Sequence, residues 1–82
     1  MYKNRAKDGR LNICGVKIAY MRKQMKPRVS QRMLADRLQL AGLDIDKNAI
    51  SNIEGGKRFV TDIELQALAE IFNVTADELL YF

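Results

Sequence analysis

The chain has 82 residues, one cysteine, no histidine and a formal net charge of +4. This length predicts one domain, and a lone cysteine cannot form an internal disulfide, which favours a reducing, cytoplasmic compartment. Without histidine or a Gly-rich phosphate loop, the sequence nominates no catalytic group, so we expect no enzyme, no cofactor and no metal site. No apolar run approaches the roughly 20 residues that span a bilayer, so we expect no membrane partner.

The charge is unevenly distributed along the chain. Residues 1–32 carry a net charge of +9, residues 33–60 are balanced, and residues 61–82 contain five acids and no base. A polyanion would attract the first part and repel the last. A solvated basic face without a partner is the alternative interpretation.

The first predicted element is a polar, basic segment, residues 1–10, which we interpret as a flexible arm ahead of a domain at 11–82. Asn12 is the predicted cap of a first helix, and Pro27 ends it because the residue before a proline avoids helical geometry. One apolar stripe at helical spacing follows the cap: Cys14, Ile18, Met21 and Met25. This spacing predicts core residues and not a reactive thiol or a ligand set.

Two further helices are predicted from caps and stops. Ser30 caps a second helix that begins at Gln31, and Gly42 marks its end. Asp46 caps a short third helix, which Gly55 and Gly56 end after about two turns. The inward side chains of the second helix are Leu34, Ala35 and Leu38.

The last two predicted helices each begin with a capping box. Thr61 pairs with Glu64 in the first box and Thr75 pairs with Glu78 in the second. Asn73 between them suits a left-handed helix end. No segment alternates as a strand does, so the chain is predicted to be all-α, with five helices.

The third helix has two contrasting faces. At about 100° per residue, Ala49, Ile50 and Ile53 share one face, which must anchor so short a helix to the domain. The other face carries asparagine, serine and lysine side chains. Asn can bond adenine N6 and N7, and Lys can donate to guanine O6 and N7, so this face suits the reading of base edges. An ordinary solvated face is the alternative. We call this other face the polar row: Lys47, Asn48, Ser51 and Asn52.

The order of these motifs resembles the phage repressor and Cro family of helix-turn-helix domains, also called the xenobiotic-response-element family. The resemblance covers roughly residues 13–80. Its central motifs are Ser30-Gln31-x-x-Leu34-Ala35 and Ala49-Ile50-Ser51-x-Ile53-Glu54-x-Gly56-Lys57-Arg58. It implies a compact five-helix, phage-repressor-like fold whose third helix, at about residues 47–54, lies in the major groove of DNA.

The resemblance also implies roles for individual residues. The polar row matches the base-reading positions. Gln31 matches a residue that bonds a backbone phosphate and braces the reading helix. Lys57 and Arg58 match phosphate-contacting positions, and Arg22 with Glu54 matches a structural ion pair between the first and third helices.

This chain departs from the family pattern in its connections. The link between the second and third helices is several residues longer, around Gln39 to Leu43, so that either the second helix gains a turn or a small loop projects. We expect Leu40 and Leu43 to pack it down. The link after the first helix is also longer, and its bases, Lys26 and Arg28, could add phosphate contacts.

The basic arm resembles N-terminal extensions that wrap around DNA in some family members; a disordered tail is the alternative. Its candidate phosphate or minor-groove contacts are Lys3, Arg5, Lys7 and Arg10.

Together these features predict a sequence-specific regulator of transcription that binds double-stranded DNA, most simply a repressor in a bacterial or phage setting. One short helix reads few base pairs, so a homodimer on a two-fold site is expected. Residues 79–82 are the candidate dimer contact, or else they close the hydrophobic core. Two alternatives stay open: an accessory, antitoxin-like module that binds a protein partner, and a nonspecific nucleic-acid binder.

Overall fold

In the computed structural model, the structure describes Ala6 and residues 8–81. That part of the chain forms five helices and no strand, which confirms the predicted all-α class. The helices are α1 (Gly15–Gln24), α2 (Gln31–Leu40), α3 (Lys47–Glu54), α4 (Asp62–Phe72) and α5 (Ala76–Leu80).

Ser30 and Asp46 cap α2 and α3 as the sequence predicts, whereas the residue at the cap position of α1 is Cys14 and not Asn12. The Oδ1 atom of Asn12 accepts a hydrogen bond from the Gly15 amide at 2.8 Å, at the start of α1. Ser30 accepts from the Met33 amide in α2 at 3.1 Å. These bonds satisfy backbone N–H groups that have no partner inside a helix, so each helix starts at a defined residue.

The last two helices start with the predicted capping boxes. In α4 the Thr61 hydroxyl accepts from the Glu64 amide, and the Glu64 carboxylate accepts from the Thr61 amide. Thr75 and Glu78 repeat this arrangement in α5. Asn73 has φ 57° and ψ 46°, the left-handed conformation expected of it.

The long α2–α3 connection is a helix extension followed by a compact turn. The Gly42 amide donates to the Gln39 carbonyl and the Leu43 amide to the Leu38 carbonyl, both at 3.0 Å. This pair of bonds is a Schellman motif, and Gly42 supplies its positive φ of 91°. Of the residues in the longer link, Gln39 and Leu40 extend α2, and residues 41–43 form the turn that follows it.

The expectation that Leu40 packs the connection down is wrong. Leu40 is 89% exposed, whereas Leu43 is partly buried against the core. Leu40 lies about 200° around the helix axis from Leu38, which is fully buried, so its side chain faces away from the domain.

The core is a single apolar cluster to which every helix contributes. α3 packs against both α1 and α2, and α4 packs against α1, α2 and α5. Leu79 is fully buried, so α5 closes the core, while Tyr81 is 74% exposed and Phe82 lies outside the described residues. The buried apolar residues are Cys14, Ile18, Val29, Leu34, Ala35, Leu38, Ile45, Ile50, Ile53, Leu68, Ala69, Phe72 and Leu79.

Two further properties of the described residues concern membrane spans and buried polar atoms. None of their helices is long and apolar enough to cross a membrane. Among the same residues, no buried side-chain nitrogen or oxygen lacks a hydrogen-bond partner.

Candidate nucleic-acid interface

The two faces of α3 lie as the sequence predicts. Ile50 and Ile53 are fully buried, and Ala49 is partly buried beside them. Because these side chains hold one face against α1 and α2, the opposite face points to solvent. All four members of the polar row are exposed: Lys47, Asn48, Ser51 and Asn52.

The start of α3 is held by two side chains. Asp46 Oδ1 accepts from the Ala49 amide at 2.8 Å, which caps the helix. From α2, Gln39 Nε2 donates to the Ile45 carbonyl at 3.1 Å, and Ile45 itself is buried. The extended second helix therefore fixes the backbone just ahead of the polar row.

The end of α3 is held by a three-residue network centred on Glu54. Arg22 donates to both carboxylate oxygens of Glu54, from Nε at 2.7 Å and from Nη2 at 3.0 Å. Gln31 Nε2 donates to Glu54 Oε1 at 2.9 Å. Arg22 also donates to the Val29 carbonyl at 3.1 Å. The network joins α1, α2 and α3, which are the elements that set the tilt of the polar row.

Gln31 keeps a donor for another partner. A side-chain amide carries two N–H groups, and the bond to Glu54 uses one of them. Gln31 is only partly buried at the start of α2, where the helix dipole favours an anion. The same side chain can thus brace α3 and donate to a phosphate.

The two bases after α3 have different surroundings. Lys57 is exposed, and its amide donates to the Asn52 carbonyl at 2.8 Å, which keeps it beside the polar row. Arg58 instead donates to both oxygens of Glu64 at 2.9 Å and to the Phe59 carbonyl at 3.0 Å. The charge of Arg58 is therefore paired with α4, which argues against the phosphate role that the resemblance implies for it.

This ion pair affects the ionisation of both partners. The hydrogen bonds from Arg58 hold the pKa of the Glu64 carboxyl below its usual value, although burial acts in the opposite direction. The same bonds raise the pKa of Arg58. Sequence analysis missed the pairing because Arg58 and Glu64 belong to different elements, and no helical spacing links them.

The bases in the α1–α2 connection are on the surface. Lys26 and Arg28 are both exposed, and the Lys26–Pro27 peptide bond is cis. Buried Val29 anchors the end of this segment, and its amide donates to the Arg22 carbonyl at 3.4 Å. The segment thus ends beside the residue that pairs with Glu54.

The basic arm is only partly described. Lys3, Arg5 and Lys7 lie outside the described residues. Arg10, which we assigned to the same arm, is half-buried, and its guanidinium donates to the carbonyls of Ile53 and Glu54 at the end of α3. Arg10 therefore packs against the end of α3. No spacing rule could have found this contact, because 44 positions separate Arg10 and Glu54 in sequence.

The described residues offer little for other chemistry. They contain no group of three or more Cys, Asp or Glu side chains that could hold a metal. Cys14 is buried in the core, and burial raises the pKa of its thiol. A buried thiol with a raised pKa is a poor nucleophile.

One comparison with known proteins gives a match. The family model described as helix-turn-helix matches residues 18–79, a span from the middle of α1 to the end of α5. No curated protein and no solved structure matches the chain.

Proposed function

The chain belongs to the Cro/C1-type helix-turn-helix family of DNA-binding regulators, and we propose that it reads a specific sequence in double-stranded DNA to regulate transcription. In this proposal α3 is the reading helix and lies in the major groove. The exposed polar row carries the proposal, since it consists of three short polar side chains and one lysine on a helix that is fixed at both ends.

The side chains of the polar row suit the base edges of the major groove. Asn48 and Asn52 can each bond adenine N6 and N7, and Lys47 can donate to guanine O6 and N7. Ser51 can donate to or accept from several bases. Long flexible side chains would lose more rotamer freedom on binding than these residues do, apart from Lys47.

Affinity in this proposal comes from phosphate contacts around the reading helix. Lys57 lies beside the polar row, and Gln31 has a second N–H at the start of α2. Lys26 and Arg28 are exposed bases, and Lys3, Arg5 and Lys7 extend the positive charge of the N-terminal part. Each phosphate neutralised releases counterions, so binding weakens as salt rises. We assign Arg58 to holding the loop, since Glu64 occupies its guanidinium.

We further propose that the regulator acts as a homodimer, and as a repressor that excludes other proteins from its site. One reading helix covers only a few base pairs, and two copies on a two-fold site would double the sequence that is read. Exposed Tyr81, on the acidic C-terminal side, is the described residue that we place at the dimer contact.

The test is selection of bound duplexes from a randomised pool by the purified protein at near-physiological salt. Enrichment of a palindrome with half-sites about one helical turn apart supports a specific dimeric reader. The double variant Asn48→Ala, Asn52→Ala should lose the enrichment while it still binds DNA. Binding of the unaltered protein without enrichment supports the nonspecific binder, and no binding overturns the proposal.

A further inference from the structure

We infer that Arg10 and Asn12 are positioning residues for α3, and that Arg10 acts on DNA binding through this helix without contacting a phosphate. The inference rests on the proposed function, in which α3 reads DNA. It changes the role of Arg10 from a mobile arm contact to a fixed part of the interface.

The guanidinium of Arg10 lies at the C-terminal end of α3. Its Nη2 atom donates to the Glu54 carbonyl at 2.7 Å and reaches the Ile53 carbonyl at 3.4 Å. Its Nε atom donates to the Asn12 carbonyl at 3.3 Å. The last carbonyls of a helix have no partner within the helix and carry partial negative charge. A cation that donates to them stabilises the final turn.

Asn12 joins the same helix end to two other elements. Its Nδ2 atom donates to the Ile53 carbonyl at 3.0 Å and to the Arg58 carbonyl at 2.7 Å. Its Oδ1 atom accepts from the amide of Gly15, the first residue of α1, so this side chain also holds the start of that helix. One partly buried amide therefore links the start of α1, the end of α3 and the loop that carries Lys57.

The backbone around these side chains is closely packed. The Leu11 amide donates to the Gly56 carbonyl at 2.9 Å. Gly56 has φ 76°, and a Cβ atom at this residue would lie 2.8 Å from the Arg10 side chain. A Cβ atom on Gly15 would overlap the Ile53 carbonyl. Glycine at both positions lets the N-terminal segment lie directly against the end of α3.

The bonds from Arg10 and Asn12 affect the candidate interface because they stabilise the end of α3. α3 has eight residues and depends on contacts outside itself for stability. The Lys57 amide donates to the Asn52 carbonyl, so the last turn of α3, which carries Asn52, is bonded to the loop that carries Lys57. Loss of the bonds to Ile53 and Glu54 would loosen both.

The arrangement leaves Arg10 less suited to a phosphate contact than an exposed base, because its Nε and Nη2 atoms are held by carbonyl groups and only Nη1 keeps N–H groups for another partner. Its side chain is already engaged by three carbonyl groups, and its backbone amide donates to Asp8 Oδ1 at 3.1 Å. The Asp8 carboxylate beside it is exposed and would repel a phosphate.

The experiment compares Arg10→Ala, Asn12→Ala and Lys57→Ala, each in the full chain, where Lys57 is the exposed base that we propose contacts a phosphate. Affinity for the selected duplex is measured over a series of salt concentrations. A phosphate contact contributes about 0.9 to the slope of log affinity against log salt. We expect Arg10→Ala to bind about tenfold more weakly, the loss expected for a charge-assisted hydrogen bond, with the same slope as Asn12→Ala. Lys57→Ala should lower the slope by about 0.9.

Asn12→Ala matters because it removes no charge. Any change of slope that comes from loosening the loop appears in both Asn12→Ala and Arg10→Ala. A slope lower by about 0.9 in Arg10→Ala alone identifies a phosphate contact at Arg10 and overturns the inference. Equal affinity of Arg10→Ala and the unaltered protein overturns it as well.

Hydrogen exchange of the free protein provides a second measurement that does not depend on DNA. Arg10→Ala and Asn12→Ala should reduce protection of the amides of Gly55, Gly56 and Lys57, whereas the Lys57→Ala variant should retain it at the first two. If Arg10→Ala does not fold, Arg10→Lys replaces it, and we expect intermediate protection because the charge remains. If the unaltered protein selects no sequence, the proposed function fails, and unchanged protection in the variants still overturns the positioning role.

Discussion

Arg22 in α1 and Glu54 at the end of α3 form an ion pair at 2.7 Å, and only about a tenth of each side chain is exposed. The two nitrogens that bond Glu54, Nε and Nη2, form one edge of the planar Arg22 guanidinium, so the contact fixes orientation as well as distance. Gln31 adds a third bond to the same carboxylate. The helix that carries the polar row is thereby tied to the two helices on which it packs.

We expect Glu54→Ala to lower the free energy of unfolding by about 3 kcal/mol, because it leaves the Arg22 charge buried without its partner. Urea denaturation followed by circular dichroism measures this loss. Glu70→Ala is the matched control, since Glu70 is exposed on α4, and should change stability by less than about 0.5 kcal/mol. Equal effects of the two variants would contradict the structural role of Glu54.

A second prediction separates base reading from phosphate binding. Asn48→Ala or Asn52→Ala should reduce discrimination at one base pair by about 1–3 kcal/mol, while affinity for unrelated duplexes stays nearly unchanged. Lys57→Ala should weaken binding to all duplexes alike, because a phosphate carries no sequence information. Competition binding with single-base operator variants measures both effects. A sequence-selective loss for Lys57→Ala would contradict this division of roles.

Stability should depend on pH through Glu64. Its folded-state pKa is lowered by the hydrogen bonds from Arg58, so the ionised form stabilises the fold. This contribution is present above the unfolded-state pKa, about 4.3 for glutamate, and is lost as pH falls through the lower folded-state pKa. Glu64→Gln keeps the capping box but removes the charge. The stability difference between the unaltered protein and this variant should therefore shrink on acidification, as measured by denaturation at a series of pH values.

The Cys14 thiol should be protected in the folded protein. It is 2% exposed, and its pKa is raised chiefly by burial, so little thiolate forms and little reagent reaches it. Labelling with a thiol-specific reagent should be slow in buffer and fast in denaturing urea. Fast labelling without denaturant would show that the start of α1 opens readily.

Substitutions of Leu38 and Leu40 should distinguish the buried face of α2 from its exposed face. Leu40→Lys should change the free energy of unfolding by less than about 0.5 kcal/mol, since Leu40 is 89% exposed. Leu38→Ala should cost about 2–5 kcal/mol, because Leu38 is fully buried and its loss leaves a cavity. Thermal or urea unfolding compares the two, and a large loss for Leu40→Lys would mean that this side chain is covered in solution.

Local signals along the chain were sufficient to predict the helices. Each start depends on a side chain within three residues of the amide it bonds, as at Ser30 and Thr61. The end at Gly42 depends on one positive φ angle. The inward and outward faces of α3 followed from helical geometry alone, and the family match supports the fold built from them.

Local sequence patterns could not predict the contacts that join distant parts of the chain. The family resemblance implied a phosphate contact for Arg58, and the polar, basic N-terminal sequence led us to place Arg10 in a flexible arm. In the fold, Arg10 meets carbonyls at the end of α3 and Arg58 meets Glu64.

The sequence by itself therefore determined the five helices, the caps of α2 to α5 and, apart from Leu40, the main side chains that face the core. Only the tertiary structure decided which basic side chains are paired and which remain exposed at the interface. The physical reason is distance: caps and helix faces depend on residues a few positions apart, whereas a guanidinium can donate to any acceptor that folding brings within about 3 Å.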